Sequence, residues 1–189
     1  YFNSAEMRDL YNTGITHFGE NRIEAFLDKV EDLKDLDITW HHIGTLQTKK
    51  VKKVINLVSY LHSLDNYNLA LEVNKRRIKK IKCFIQVNIS KEDSKHGLNI
   101  HEVIPFIKSL EALQKIEIIG LMGMAELTSN EEIISNEFQK LNDLQVKIKN
   151  ELNLNLKELS IGMSNDYLIA LKHNATFLRL GSVLFKREV

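Results

Sequence analysis

Apolar residues recur along this chain with two periods that take turns. Short runs such as residues 82–89 and 116–122 are apolar or alternate in twos, as strands do; between them the spacing changes to threes and fours, as on one face of a helix. Ser4 reads as the N-cap of a first helix that runs to about Asn12 and stops before Gly14. Residues 15–19 form a strand, and 21–33 a helix whose Ile23, Phe26, Val30 and Leu33 share a face. A strand over 39–44 is followed by a helix over 47–57 burying Val51, Val54, Ile55 and Val58, then by a strand over 58–63. The same rhythm predicts a helix over 66–80, a strand over 82–89 and a polar loop over 90–99. A helix over 101–113 tolerates Pro105, the only proline, in its first turn. Next come a strand over 116–122, a loop over 124–130 and the longest helix, with Ile134, Phe138, Leu141, Leu144 and Ile148 on one side. A strand over 156–161, a helix over 166–172 and a strand over 175–180 complete the pattern.

Alternation of strand and helix predicts a parallel sheet with helical crossovers. Seven strands are one short of a closed (β/α)8 barrel, and the chain opens on a helix. A barrel therefore calls for a first strand ending at or just before Tyr1, whereas an open doubly wound sheet calls for none. Two features favour the barrel. Gln86 and Asn88 alternate with Ile85 and Val87, as an interior would use them, and polar residues gather at the C-terminal ends of several strands, not at one switch point. No linker or composition shift divides the 189 residues, so one domain is expected.

Composition narrows the class without naming a function. With 43% hydrophobic and 27% charged residues the chain is an ordinary globular one. A net charge of +1 gives no reason to expect nucleic acid or an anionic membrane. Cys83 is the only cysteine, so no disulfide framework can form within the chain. No stretch approaches the ~20 apolar residues of a membrane span and no signal peptide is visible, which points to the cytoplasm. The chain starts at Tyr1 without a methionine, so an upstream segment is expected.

The candidate chemistry lies at the strand ends. Two stretches, Gly162-Met163-Ser164 and Gly181-Ser182, each follow a strand where a helix begins. Such junctions offer backbone N–H groups and a hydroxyl to a phosphate, and in a barrel they fall after strands 7 and 8, where phosphate commonly binds. The alternative for each is an ordinary Gly/Ser turn. On the last strand Phe177, Arg179 and Gly181 share a face, so Arg179 points into the barrel mouth while Leu178 and Leu180 face the helices. An inward arginine needs a partner: a ring nitrogen, a carboxylate or a phosphate would serve, a plain structural ion pair included. Asn21 and His41 stand on other strands or their ends, as helix cap and satisfied core group if not as ligands. No His-x-x-x-His pair suggests metal. Lys49, Lys50, Lys52 and Lys53 surround Val51, the pattern of a solvated helix face and not of a nucleic-acid patch.

The segments Phe18-Gly19-Glu20-Asn21, Trp40-His41-His42-Ile43-Gly44-Thr45-Leu46-Gln47, Gln86-Val87-Asn88-Ile89, Gly120-Leu121-Met122, Gly162-Met163-Ser164-Asn165-Asp166 and Leu178-Arg179-Leu180-Gly181 together resemble the pyridoxal phosphate homeostasis proteins (the YggS or PROSC family) over the whole chain. The resemblance implies a barrel similar to the N-terminal domain of alanine racemase, with pyridoxal 5′-phosphate (PLP) at its mouth. It implies that Ser164, Gly181 and Ser182 bind the phosphate, that Arg179 faces the pyridine nitrogen, and that Asn21 and Met163 line the site. It also implies a Schiff-base lysine ending the first strand, which would fall just before Tyr1. Two departures stand out. His42 occupies a position usually aromatic, and Phe185-Lys186-Arg187 lacks the glycine that commonly follows the phenylalanine.

An arginine facing the pyridine nitrogen disfavours protonation there, since two positive charges would meet. The function implied is a non-catalytic carrier that buffers PLP, with PLP-dependent apoenzymes and free amino acids as further partners. The alternative is a PLP-dependent amino-acid racemase, which needs a base on each face of its substrate. All 189 residues are used by the barrel, which leaves no second domain for that base and points to a monomer. A phosphate-sugar enzyme of the same barrel type is a third reading.

Overall fold

The computed structural model describes residues 2–90 and 96–184. Its seven strands are β1 (His17–Glu20), β2 (Thr39–His42), β3 (Tyr60–Leu64), β4 (Ile81–Gln86), β5 (Ile116–Met122), β6 (Glu158–Met163) and β7 (Phe177–Arg179). They pair in chain order, and every pairing is parallel. A doubly wound sheet would reverse its order at a switch point; no reversal occurs, so the winding is that of a barrel. Side chains from distant strands meet inside it. Phe177 of β7 lies 5.9 Å from His41 of β2 and 5.5 Å from Tyr60 of β3, between ring centroids. The result is a nearly closed barrel with β1 and β7 at its edges. Phe2 reaches β7's end, 3.5 Å from where a Cβ on Gly181 would stand. The strand expected ahead of Tyr1, and the departure at residues 185–187, lie outside the described residues.

The helices are α1 (Ser4–Asn12), α2 (Ile23–Asp32), α3 (Val51–Val54), α4 (Tyr67–Arg76), α5 (Val103–Ser109), α6 (Glu131–Leu152) and α7 (Tyr167–Lys172). The cap of α1 is Asn3, not Ser4. Asn3 Oδ1 accepts from the Glu6 N–H at 2.9 Å while Glu6 returns the bond to the Asn3 N–H at 2.8 Å. That reciprocal box needs an acidic residue three after the cap, which Ser4 lacks. Ser4 instead donates to Asp32 at 2.6 Å, tying α1 to α2.

The predicted helices over 47–57, 66–80 and 101–113 are all shorter in the structure, the last ending at Ser109. The segment after β2 is a 3₁₀ turn over Thr48–Lys50 followed by the single turn α3. Val51, Val54, Ile55 and Val58 are all buried as the spacing required, with Lys49, Lys52 and Lys53 exposed and Lys50 paired to Glu24. Asn56 ends this segment by donating to the Arg76 carbonyl and accepting from the Ile78 N–H. The same bonds stop α4 at Arg76: Arg77 turns extended and its guanidinium bonds the Ile55 carbonyl. Pro105 lies in the first turn of α5.

The 22-residue α6 carries the predicted apolar face, Ile134, Phe138, Leu141, Leu144 and Ile148, all buried. Its start is fixed by Asn130, and Asn153 closes it in the left-handed conformation, φ 51°. Outside the barrel, Trp40 packs edge-on against Phe26 of α2, and His42 shares that outward face, fully buried. No helix among the described residues is long and apolar enough to cross a membrane.

Candidate functional site

The C-terminal ends of the strands form one mouth, and the loops after β6 and β7 are joined there. Ser164 Oγ accepts from the Gly181 N–H at 3.0 Å and the Val183 N–H at 3.3 Å. Two backbone amides thus converge on one oxygen position. The β6 loop reaches this place because Gly162 takes φ +90°, a turn that an L side chain resists. Asp166 then accepts from the Met163 N–H at 2.6 Å and closes the turn ahead of α7.

Arg179 points inward as alternation predicted, but its partners are mainly carbonyls and not an acid. Nη1 donates to the Ser160 carbonyl at 2.6 Å and to Ser160 Oγ at 2.8 Å, and Nη2 donates to the Gly123 carbonyl at 2.9 Å. The Gly123 N–H donates back to the Ser160 carbonyl at 3.2 Å, so Arg179 clasps the loop after β5 to β6. Burial pulls the guanidinium down to about 10, with Asp166 acting the other way, which leaves it cationic at neutral pH. Three of its five N–H groups are used among the described residues.

Of the predicted residues, Ser164 and Gly181 are hydrogen-bonded to each other, and Met163 and Arg179 face each other in register across β6 and β7. Ser182 is exposed in the turn closed by the bond from the Leu184 N–H to the Gly181 carbonyl. Asn21 stands at the same end, exposed, just after β1. Its backbone lies 2.4 Å from where a Cβ on Gly44 would be, so the loops after β1 and β2 touch only because residue 44 is glycine. Among the described residues Asn21 shares no hydrogen bond with the other candidates.

The turn that carries Asn21 is held by Glu20, whose carboxylate accepts from the Asn21 and Arg22 N–H groups and pairs with Lys29. Burial pushes the Glu20 carboxyl up, but Lys29 and the two amides more than reverse this, and it ends below its ordinary 4.5. Such a group contributes stability that is present above the unfolded value and lost as pH falls through the lowered folded one. A Glu20→Gln variant is therefore expected to be less stable than the parent at neutral pH, with the gap closing on acidification. Urea unfolding across that range measures it; a gap that persists in acid would show that the charge is unused.

Sequence reasoning passed over Ser160, Gly123 and Asp166 as partners. Ser160 was reachable, since on the predicted strand over 156–161 it is the polar residue between Leu159 and Ile161. It also passed over a row of histidines: His17, His41 and His62 meet inside the barrel. Among the described residues no cluster of three or more His, Cys, Asp or Glu could hold a metal.

Residues 5–188 match the family model of the alanine racemase N-terminal domain. The pyridoxal phosphate homeostasis protein of Aquifex aeolicus (strain VF5) is 39% identical over 182 residues, covering 95% of this chain and 80% of that protein. The structure of PipY of Synechococcus elongatus PCC7942 with PLP bound superposes with a TM-score of 0.88 at 32% identity, covering 96% of this chain and 87% of that one. An alanine racemase of Clostridium difficile 630 shares the fold at TM-score 0.75, with 12% identity and only 48% of its length covered. The chain belongs to the pyridoxal phosphate homeostasis protein family, built on the barrel of the alanine racemase N-terminal domain.

Proposed function

We propose that this chain holds PLP at the barrel mouth and acts as a non-catalytic carrier that buffers its supply. The observation that carries the reading is the convergence of the Gly181 and Val183 amides on Ser164 Oγ, an oxygen position that a phosphate oxygen would take over, on the same end of the barrel as the inward Arg179. Paired amides and a hydroxyl suit a phosphate, and the guanidinium of Arg179 suits a ring nitrogen that carries no proton. Ser164, Gly181 and Ser182 would hold the phosphate, Arg179 the ring, and Asn21 and Met163 the remaining walls. Bound there, PLP supplies an aldehyde that condenses with amines and a ring that draws electron density.

The protein's own groups favour holding over turnover. Arg179 stays cationic and disfavours a second positive charge on the ring. The carboxylates of Asp166 and Glu20 are committed to backbone amides and, for Glu20, to Lys29. Neither is placed as a free acid or base. In this reading the protein works in the cytoplasm as a monomer, exchanging PLP with apoenzymes and responding to free amino acids.

Equilibrium dialysis of PLP against the full chain is expected to show saturable uptake. Ser164→Ala is expected to weaken it by about tenfold, the loss of one hydrogen bond to a charged group. Absence of saturable uptake would overturn the reading. The racemase alternative separates in deuterated water: exchange of the α-proton of alanine by the loaded protein at enzymic rates would replace the carrier with an enzyme.

A further inference from the structure

Five side chains form an unbroken string across the barrel interior. Arg179 Nη1 on β7 donates to Ser160 Oγ on β6 at 2.8 Å, and Ser160 Oγ lies 2.8 Å from His62 Nδ1 on β3. His62 Nε2 lies 2.9 Å from His41 Nδ1 on β2, and His41 Nε2 lies 2.9 Å from His17 Nδ1 on β1. His62 and His41 are 2% and 5% exposed, while His17 at the far end is exposed among the described residues. Aromatic rings sheathe the middle: Tyr60 stacks on His41 and Phe84 on His62, each at 4.3 Å, and Phe177 lies 5.9 Å from both. The other titratable groups that face the string are Asp166 toward Arg179, Tyr60 itself, Lys82 of β4 beside the Tyr60 hydroxyl at 3.5 Å, and His42 on the reverse of β2. Lys82 in turn has Glu117 of β5 as its register partner.

Burial, then the charge of His17, hold His41 down at about 3. Burial, then His41, Arg179 and His42, hold His62 at about 2. Both inner rings are therefore neutral at ordinary pH, and each has one N–H and one lone pair. That fixes the direction of the string. A guanidinium can only donate, so Ser160 Oγ accepts from Arg179 and has its own proton free to donate to His62 Nδ1. His62 must then carry its proton on Nε2 and donate to His41, and His41 must do the same to His17. In the opposite direction Ser160 would accept from both Arg179 and His62, and its hydroxyl proton would have no acceptor among the described residues. The outward direction satisfies the donors of Ser160, His62 and His41, provided that His17 Nδ1 is free to accept. A protonated His17 has no lone pair. It can only donate, which forces the inward direction and displaces the Ser160 proton beside Arg179.

We propose that Ser160, His62, His41 and His17 form a directional hydrogen-bond relay that positions Arg179, and that a proton taken up by His17 reverses it. The relay is a property of the protein alone; its consequence for a bound ring rests on the carrier reading above. These are positioning residues, since none but Arg179 would face the ligand. Their effect is to let the rim of the barrel at β1 report on, and bias, the arginine at its mouth.

Two-bond 15N–1H NMR of the full chain labelled at histidine, without PLP, reads the tautomers directly. At alkaline pH both His41 and His62 are expected to carry the proton on Nε2. As His17 protonates, both are expected to switch to Nδ1–H with the midpoint of His17. In His17→Gln, whose amide oxygen accepts but does not titrate, both are expected to stay Nε2–H throughout. An Nδ1–H tautomer at His62 while His17 is neutral would overturn the direction. Inner rings that ignore His17, or that still switch in His17→Gln, would overturn the reversal. With 15N-labelled PLP loaded, the pyridine resonance is expected to shift with the same midpoint in the parent and to be flat in His17→Gln. A loaded ring that ignores a working switch would overturn Arg179 as its output. A chain that takes up no PLP would overturn the carrier reading, and the histidine spectra would still decide the relay.

Discussion

Replacing Arg179 with alanine is expected to destabilise the fold by about 3 kcal/mol and to lower PLP retention by ten- to a hundredfold. The first effect follows from what the guanidinium holds. Its three bonds satisfy the Gly123 carbonyl, the Ser160 hydroxyl and, with the Gly123 N–H, the Ser160 carbonyl. Ser160 is fully buried, so acceptors stripped of their donor there cost on the order of 1–3 kcal/mol each. The second effect follows from the bond that Arg179 would donate to the ring nitrogen, since a hydrogen bond to a charged group contributes about 1.5–3 kcal/mol. Arg179→Lys separates the two. An ammonium keeps the charge but cannot span β6 and the β5 loop as a planar fork does, so stability is expected to fall nearly as far. Urea unfolding and dialysis of PLP on both variants measure the pair of effects. Wild-type retention in Arg179→Ala would remove the arginine from the site.

The barrel was legible because its evidence is local. Strand and helix periods alternate visibly, and an inward Arg179 follows from a period of two on β7. What the period cannot show is depth. Whether Arg179 meets a carboxylate or the Gly123 and Ser160 carbonyls depends on how β6 and β7 are staggered, and their register shifts between Ser160 and Met163. The histidines make the same point more sharply. His17, His41 and His62 come from three successive strands, yet their meeting depends on how those strands are staggered. His41 was legible as a satisfied core group, but its partners were not. The α1 cap turned on a side-chain reach: Asn3 and Ser4 are both good caps, and Glu6 chose between them. Helix ends failed where a distant segment claimed the backbone, as Asn56 and Arg77 do for α3 and α4.

Gly162→Ala is expected to cost about 3 kcal/mol, a large part of the ~5–15 kcal/mol that holds a typical domain together. Two costs add. At φ +90° a Cβ meets its own backbone, a penalty of roughly 1–2 kcal/mol for an L residue. The new methyl would also stand 2.6 Å from Ala170 Cβ and 2.8 Å from Leu178 Cδ2, and overpacking of this kind costs roughly 1–3 kcal/mol. Ala170 is fully buried on α7 and its Cβ has no rotamer to escape by, so the helix itself has to shift. That shift would move Asp166 away from the Met163 N–H and open the loop that presents Ser164 to Gly181 and Val183. Stability and PLP retention are therefore expected to fall together. Gly181→Ala is the control, because among the described residues its Cβ would meet only Phe2, at an ordinary 3.5 Å, and its stability is expected to stay within about 0.5 kcal/mol of the parent. Equal losses of stability in the two variants would mean that the Gly162 turn carries no special constraint.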